Sequence, residues 1–150
     1  MTALREYTSD DCESCMAIFE SNLGKYFAPH ERQEFLDWLN RPGRPSYSVV
    51  ERGGEIVACG GIYHDDELNV VGLAWGMVRR DLHRQGLGKV LAEHRVKQMA
   101  EQYPGLDHCL ATSQHTYGFY EKMGFEVESV KADGFYDGID RYDMIRPAPK

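Results

Sequence analysis

The stretch Trp75-Gly-Met-Val-Arg-Arg-Asp-Leu-His-Arg-Gln-Gly-Leu-Gly-Lys89 limits what this chain can fold into more than any other part of it. It reads as a buried strand, a short polar turn and a glycine-rich entry into a long helix that runs from Gly86 to near Gln102. A helix start leaves its first N–H groups unpaired and carries the positive end of the helix dipole, so it can hold phosphate. Gly86 and Gly88 remove side chains where a diphosphate would approach the backbone. Arg79, Arg80, Arg84 and Lys89 gather positive charge around the same point, in a chain whose formal charge is -7. The stretch therefore predicts a site for a diphosphate-bearing cofactor. Two competing glycine motifs fail on spacing. A GxGxxG fingerprint needs glycine where Leu91 stands, and a GxxxxGK[ST] loop needs glycine at His83 and a hydroxyl residue at Val90.

Around this stretch the patterns alternate between strand and helix. Leu4–Tyr7 reads as a first strand, followed by Ser9 as N-cap of a helix whose apolar face is Cys12, Cys15, Met16 and Phe19 and which ends near Gly24. A second helix is predicted from Pro29, with Phe35, Trp38 and Leu39 inward, stopped by Arg41-Pro-Gly-Arg-Pro45. Tyr47–Glu51 and Ile56–Tyr63 read as strands joined by a tight hairpin at Arg52-Gly-Gly-Glu55. Gly60-Gly61 marks a bulge or a close backbone approach. His64-Asp-Asp-Glu67 reads as an acidic turn, and Asn69–Val78 as a central strand, apolar on both sides. The long helix carries one apolar row at Ala92, Val96, Met99 and Tyr103 and a shorter one at Leu87, Val90 and Leu91. Cys109–Ala111 is a short strand, Ser113–Met123 a short helix stopped by Gly124, and Phe125–Val130 and Gly138–Ile145 are two strands across an Asp133-Gly134 region. The order is mixed α/β in one domain spanning 1–150, long enough to bury a core.

The acidic balance argues against general nucleic-acid affinity and leaves room for a cationic or amine substrate. No apolar run approaches a membrane span, and Met-Thr-Ala-Leu-Arg-Glu lacks the marks of a signal peptide, so a cytoplasmic protein without membrane or nucleic-acid partners is expected. Four cysteines make no disulfide framework. Cys12 and Cys15 form a CxxC, but in a helical context with no second ligand pair, so a reduced structural role is favoured over zinc or redox chemistry and no metal is expected. Cys59 and Cys109 read as core residues rather than nucleophiles.

Two motifs together resemble the GNAT superfamily of acetyl-CoA-dependent N-acetyltransferases. His83-Arg-Gln-Gly-Leu-Gly88 is similar to that family's Arg/Gln-x-x-Gly-x-Gly/Ala signature, and Ser113-Gln-His-Thr-Tyr-Gly-Phe-Tyr-Glu-Lys-Met-Gly-Phe125 to its later Asn-x(6)-Tyr-x(3)-Gly-Phe segment. His83 stands where the family usually has Arg or Gln, and Ser113 where it often has Asn. The resemblance implies a single-domain GNAT-like fold: a central, mostly antiparallel twisted sheet of about six to seven strands flanked by about four helices. It also implies acetyl-CoA as co-substrate. Arg84, Gln85, Gly86, Leu87, Gly88 and Lys89 would hold its diphosphate, Ser113 would meet the pantetheine, and backbone groups of Met77 and Val78 would meet the pantetheine and the acetyl carbonyl, their N–H donors stabilising the tetrahedral oxyanion.

Tyr120 is the catalytic candidate. On a helix it shares a face with Ser113, Thr116 and Tyr117, and a phenol of reference pKa about 10 can protonate a thiolate of reference pKa about 8.5. The bland reading is an aromatic core residue beside Phe119 and Met123. The general base is not legible: Gly72-Leu-Ala-Trp-Gly76 holds no carboxylate, and His64, Glu67, His115 and Asp143 are candidates by chemistry alone, beside water. Specificity is assigned to Asn22–Trp38 (Tyr26, Phe27, His30, Glu34) and to Gly134–Tyr142 (Phe135, Tyr136, Asp140, Arg141, Tyr142), although solvated surface explains these residues as well. The expectation is direct transfer of acetyl to a primary amine, because no cysteine or serine has an evident activating partner. The acceptor would be a small amine, an amino acid or a peptide N-terminus. Homodimers are common in the family. The alternative is a non-catalytic acyl-CoA-binding sensor that kept the cleft.

Overall fold

The computed structural model describes residues 2–148. Among these, seven strands form one sheet in the order β1-β2-β3-β4-β5-β7-β6, with four α-helices on its two faces. The strands are β1 (Thr2–Glu6), β2 (Tyr47–Arg52), β3 (Glu55–Asp65), β4 (Val70–Val78), β5 (Asp107–Thr112), β6 (Glu126–Tyr136) and β7 (Ile139–Arg146). The helices are α1 (Cys12–Ser21), α2 (Glu31–Leu39), α3 (Leu87–Gln102) and α4 (Tyr117–Glu121). All neighbours pair antiparallel except β4 and β5, as the crossover through α3 requires. The mixed α/β reading and the mostly antiparallel sheet are what the chain forms.

Alternation along the strands divides the core into two layers. Tyr47, Val49, Cys59, Met77 and Trp75 pack against Cys15, Met16, Phe19, Phe35 and Leu39 of α1 and α2. On the other face Val50, Ala58 and Val78 meet Leu87 and Leu91 of α3, and Ile62, Val71, Leu73 and Leu110 meet Met99 and Phe125. The β2–β3 hairpin turns at Gly53 and Gly54, both at positive φ (61° and 81°), the two-residue geometry that matches strand twist and that only glycine adopts without strain.

Several local expectations shift. The first cap is Thr8, not Ser9. Asp11 accepts the Thr8 N–H at 2.8 Å and is gripped by Arg5 at 2.8 Å on both oxygens, so a 3-10 turn precedes α1. Pro29 and His30 make a turn and regular helix begins at Glu31. Trp38 is half-buried, and Val90 is exposed because the apolar stripe of α3 runs through Leu87, Leu91 and Ala92 instead. The helix predicted over Ser113–Met123 is confined to α4. Ser113 Oγ accepts the His115 N–H at 3.2 Å, and this local turn competes with helix until Tyr117. The last hairpin turns at Asp137-Gly138, between the paired Tyr136 and Ile139, and Asp133-Gly134 lies inside β6 at an irregularity where Asp133 Oδ1 accepts the Gly138 N–H at 2.8 Å.

Two features open the sheet. In β4 the register moves from Met77 opposite Cys59 to Ala74 opposite Gly61, which inserts an extra residue and makes a bulge, as Gly60-Gly61 suggested. Trp75 sits there at φ 47° and its carbonyl accepts the Tyr47 hydroxyl at 2.8 Å. Left-handed backbone costs a residue like Trp roughly 1–2 kcal/mol, offset here by burying the indole beside Phe27 and Phe35. Beyond the bulge β4 and β5 part: they pair only from Val70–Gly72 to Asp107–Cys109.

Candidate active site

The parted strands enclose a cavity of about 540 Å³ that passes through the sheet. On the α3 side it is lined by Gly76, Val78, Gly88, Leu91, Phe119 and Tyr120, and on the α1/α2 side by Asn22, Tyr26, Phe27, Glu31, Trp75 and Phe135. Two different ligands can therefore meet in the gap from opposite faces.

The phosphate-type end is built by α3. Its cap, Gly86, stands at φ 84° and no side chain caps the helix. Among the described residues the N–H groups of Leu87, Gly88 and Lys89 find no acceptor, so three donors and the helix dipole point outward together. A Cβ on Gly88 would stand 3.8 Å from Val78 and 3.9 Å from Phe119, within the cleft itself. This donor set fits a diphosphate. Gly86, Gly88, Arg84 and Lys89 line the cavity. Gln85 and Leu87 do not: Gln85 accepts a hydrogen bond from Arg52 at 3.0 Å, and the Leu87 side chain is buried beneath the helix, contributing its amide alone. The predicted cluster of cations also divides. Arg79 is held by Glu55 and Asp81, and Arg80 lies over the Tyr26 ring.

His83 has a structural use. Its Nε2 lies 2.8 Å from the Val78 carbonyl and its ring meets Tyr26 at 5.1 Å, which ties the loop to the end of β4. Asn22 donates to the same carbonyl at 2.9 Å and to Ile18 O at 2.9 Å. Those two carbonyls fix its amide orientation and leave Oδ1 without a partner at the edge of the cavity. The Val78 carbonyl is thus engaged by the protein, whereas Met77 lines the gap beside the bulge.

Tyr120 reaches the cavity edge-on against Phe119 (5.0 Å) and Phe125 (6.1 Å). The turn after it closes by Phe125 N–H donating to Tyr120 O at 3.1 Å, which ties α4 to the start of β6. Ser113 and Thr116 join it on the lining, while Tyr117 turns away and stacks on Tyr142 at 4.4 Å, because the residues before Tyr117 are not helical. Of the base candidates, His115 lines the cavity. His64 stacks on Tyr103, Glu67 is at an exposed turn, and Asp143 is paired with Arg141. Among the predicted specificity residues Tyr26, Phe27 and Phe135 line it and Glu34 does not; His30 and Tyr136 meet at 5.9 Å, bringing the two predicted segments together.

Two lining residues escaped the sequence reading. Glu31 is the only carboxylate among the described lining residues. It is 9% exposed; one oxygen accepts the Ala28 N–H at 2.8 Å, and burial pushes its pKa above the usual carboxylate range. Arg95 is the other. Its position four residues from both Leu91 and Met99 was a signal, since it puts a charge on the buried face of α3.

The architecture is that of the N-acetyltransferases. The chain matches the ribosomal-protein-S18-alanine N-acetyltransferase from Escherichia coli with a TM-score of 0.79 at 19% identity, covering 100% of this chain and 96% of that one. It matches Ard1 from Thermoplasma volcanium at 0.81 and 20%, covering 99% of each, and a GCN5-related N-acetyltransferase from Kribbella flavida at 0.79 and 16%, covering 97% of each. At these identities the likeness is one of fold. No curated protein matches the sequence. The family assignment comes from the profile of the acetyltransferase (GNAT) family, which matches residues 12–125: the chain belongs to that family and is an acyltransferase. No described helix is long and apolar enough to cross a membrane.

Proposed function

We propose that the protein moves an acetyl group from acetyl-CoA directly to a primary amine. The observation that carries this reading is the single cavity joining three unpaired helix-start amides on one face of the sheet to a buried carboxylate on the other. A two-substrate transfer needs such a passage, whereas a module that only binds has no use for the second mouth.

Acetyl-CoA, when bound, supplies an activated acyl carbonyl. The amides of Leu87 to Lys89, with Arg84 and Lys89, hold the diphosphate, Ser113 faces the pantetheine, and the backbone N–H of Val78, which alternation along β4 turns away from β3, donates to charge developing on the acyl oxygen. Glu31 takes the proton of the incoming ammonium group, and burial, by raising its pKa, makes it a stronger base than an exposed carboxylate. Asn22 Oδ1 offers an acceptor to the same amine. Tyr120 gives its phenolic proton to the departing sulfur. The aromatic wall of Tyr26, Phe27, Trp75 and Phe135 suits an amine that carries apolar surface, whether a small molecule, an amino acid or a peptide N-terminus.

Calorimetric titration with acetyl-CoA, and with a CoA fragment lacking the 3′-phospho-ADP portion, tests the cradle. Binding is expected to depend on that portion, and no binding to either ligand refutes the reading. Thiol release with an amine panel then separates an enzyme from an acyl-CoA sensor, which would bind the thioester and release nothing.

A further inference from the structure

Among the described residues Arg95 is the only buried arginine or lysine, 2% exposed. The buried Asp11 is gripped by Arg5, but Arg95 has no counter-ion among the described residues. Its Nε is buried without a partner, and none of its nitrogens donates to a described residue while its side chain lines the cavity. A guanidinium with a buried, unpartnered Nε and no counter-ion, its terminal nitrogens open to the cavity, is an unfavourable arrangement that an anion in the cavity would relieve. The fold makes room for the guanidinium nonetheless. A Cβ on Gly76 would stand 2.5 Å from both terminal nitrogens, and one on Gly60 3.1 Å from Cζ and Nε. Two strands thus lack side chains where the guanidinium lies, and Leu73, Leu91 and Leu110, which pack on the α3 face, also line the cavity.

The side of the sheet decides what this charge can meet. Trp75 and Met77 point into the α1/α2 layer, so Gly76 and Val78 face α3. Arg95 therefore sits on the face where the thioester would lie, beside the bulge of β4, and across the sheet from Glu31. An acetyl group ends in a methyl and makes no use of a cation. A carboxylate at the end of a short acyl chain would take two parallel N–H···O bonds from the planar guanidinium and compensate its charge.

We propose that Arg95 is the receptor for a carboxylate on the acyl group, so that this acyltransferase accepts the CoA monothioester of a short dicarboxylic acid as a donor. The inference rests on the acyl-CoA reading of the cleft and extends it to the acyl class. The transfer balances as it does for acetyl. The neutral amine nitrogen attacks the thioester carbonyl, a C–N bond forms as the C–S bond breaks, the nitrogen loses one proton, and the thiolate leaves and takes one up. The carboxylate stays ionised on Arg95 throughout.

The test is calorimetric binding of acetyl-, butyryl-, malonyl- and succinyl-CoA to the wild-type protein, followed by thiol release with the same four donors. Malonyl- or succinyl-CoA is expected to bind about tenfold or more tighter than butyryl-CoA. Arg95→Met should bring that ratio close to one, and Arg95→Lys should restore part of it. Acetyl-CoA binding with no preference for a dicarboxylic thioester overturns this inference and leaves the acetyltransferase reading standing, whereas failure of every thioester overturns both. The wild-type comparison decides even if Arg95→Met does not fold. A preference that survives in Arg95→Met also overturns the assignment. So does an Arg95→Met effect confined to the discrimination between acceptor amines with and without a carboxylate, because the anion would then belong to the acceptor.

Discussion

Tyr120 and Glu31 face one cavity from opposite sides of the sheet, and their assigned roles separate experimentally. Tyr120→Phe keeps the ring contacts with Phe119 and Phe125 and removes only the acidic hydrogen. Turnover should fall about 100-fold, the low end of general-acid contributions, with acetyl-CoA affinity nearly unchanged. Steady-state thiol release beside calorimetry checks this, and equal turnover in the two proteins removes Tyr120 from the chemistry. Glu31→Gln is equally discriminating, because a glutamine oxygen still accepts the Ala28 N–H and preserves the helix start. As a base Glu31 works when ionised, so activity should rise with pH through its raised pKa. The glutamine variant should lose that acid limb and roughly 100-fold in kcat/KM. A retained limb would point to another base, such as His115, which also lines the cavity.

At the level of elements the start of α3 and the bulge of β4 define the cleft, and both rest on backbone conformations at positive φ. Gly86, at φ 84°, has nothing within 4 Å of a built Cβ, so Gly86→Ala introduces strain and no clash. It should cost about 1 kcal/mol in chemical denaturation. It should also weaken acetyl-CoA binding, since relief of the strain turns the following amides away from a shared focus. The bulge is held differently, by Tyr47 donating to the Trp75 carbonyl within an aromatic cluster. These elements were unequally legible. The entry to α3 is local, with consecutive residues setting both the conformation and the unpaired donors. The short α4 and the last turn are not legible locally, because Ser113 closes a turn of its own and because two Asp-Gly pairs compete for one hairpin. The pair lying between strand partners became the turn.

For the whole molecule the buried His108 sets a dependence on pH. It is wholly buried in β5 with both ring nitrogens unpartnered, and burial, with Arg146 nearby, holds its pKa below the usual imidazole value. The unfolded chain thus binds this proton more readily than the folded one. Stability attributable to His108 is fully present above about pH 6.5 and is lost as pH falls from there toward the lower folded value. His94, lowered in the same sense by burial, adds to the slope. His108→Leu should flatten the change in thermal midpoint between about pH 7.5 and 5 relative to wild type, and an unchanged slope would exclude His108 as its source.

The sequence by itself determined the mixed α/β order, the crossover into α3 and the donor-rich helix start, because each depends on residues adjacent in the chain. It also brought Tyr120 forward, through spacing within one segment. The tertiary structure alone decided the other half of the cleft. A glutamate at a helix start is locally a cap, and Glu31 becomes a candidate base only where β4 and β5 part opposite α2. An arginine on a helix is locally a solvated charge. Arg95 becomes a buried one because glycines on two strands far from it in sequence leave the space it fills, and that space exists only once the sheet is assembled.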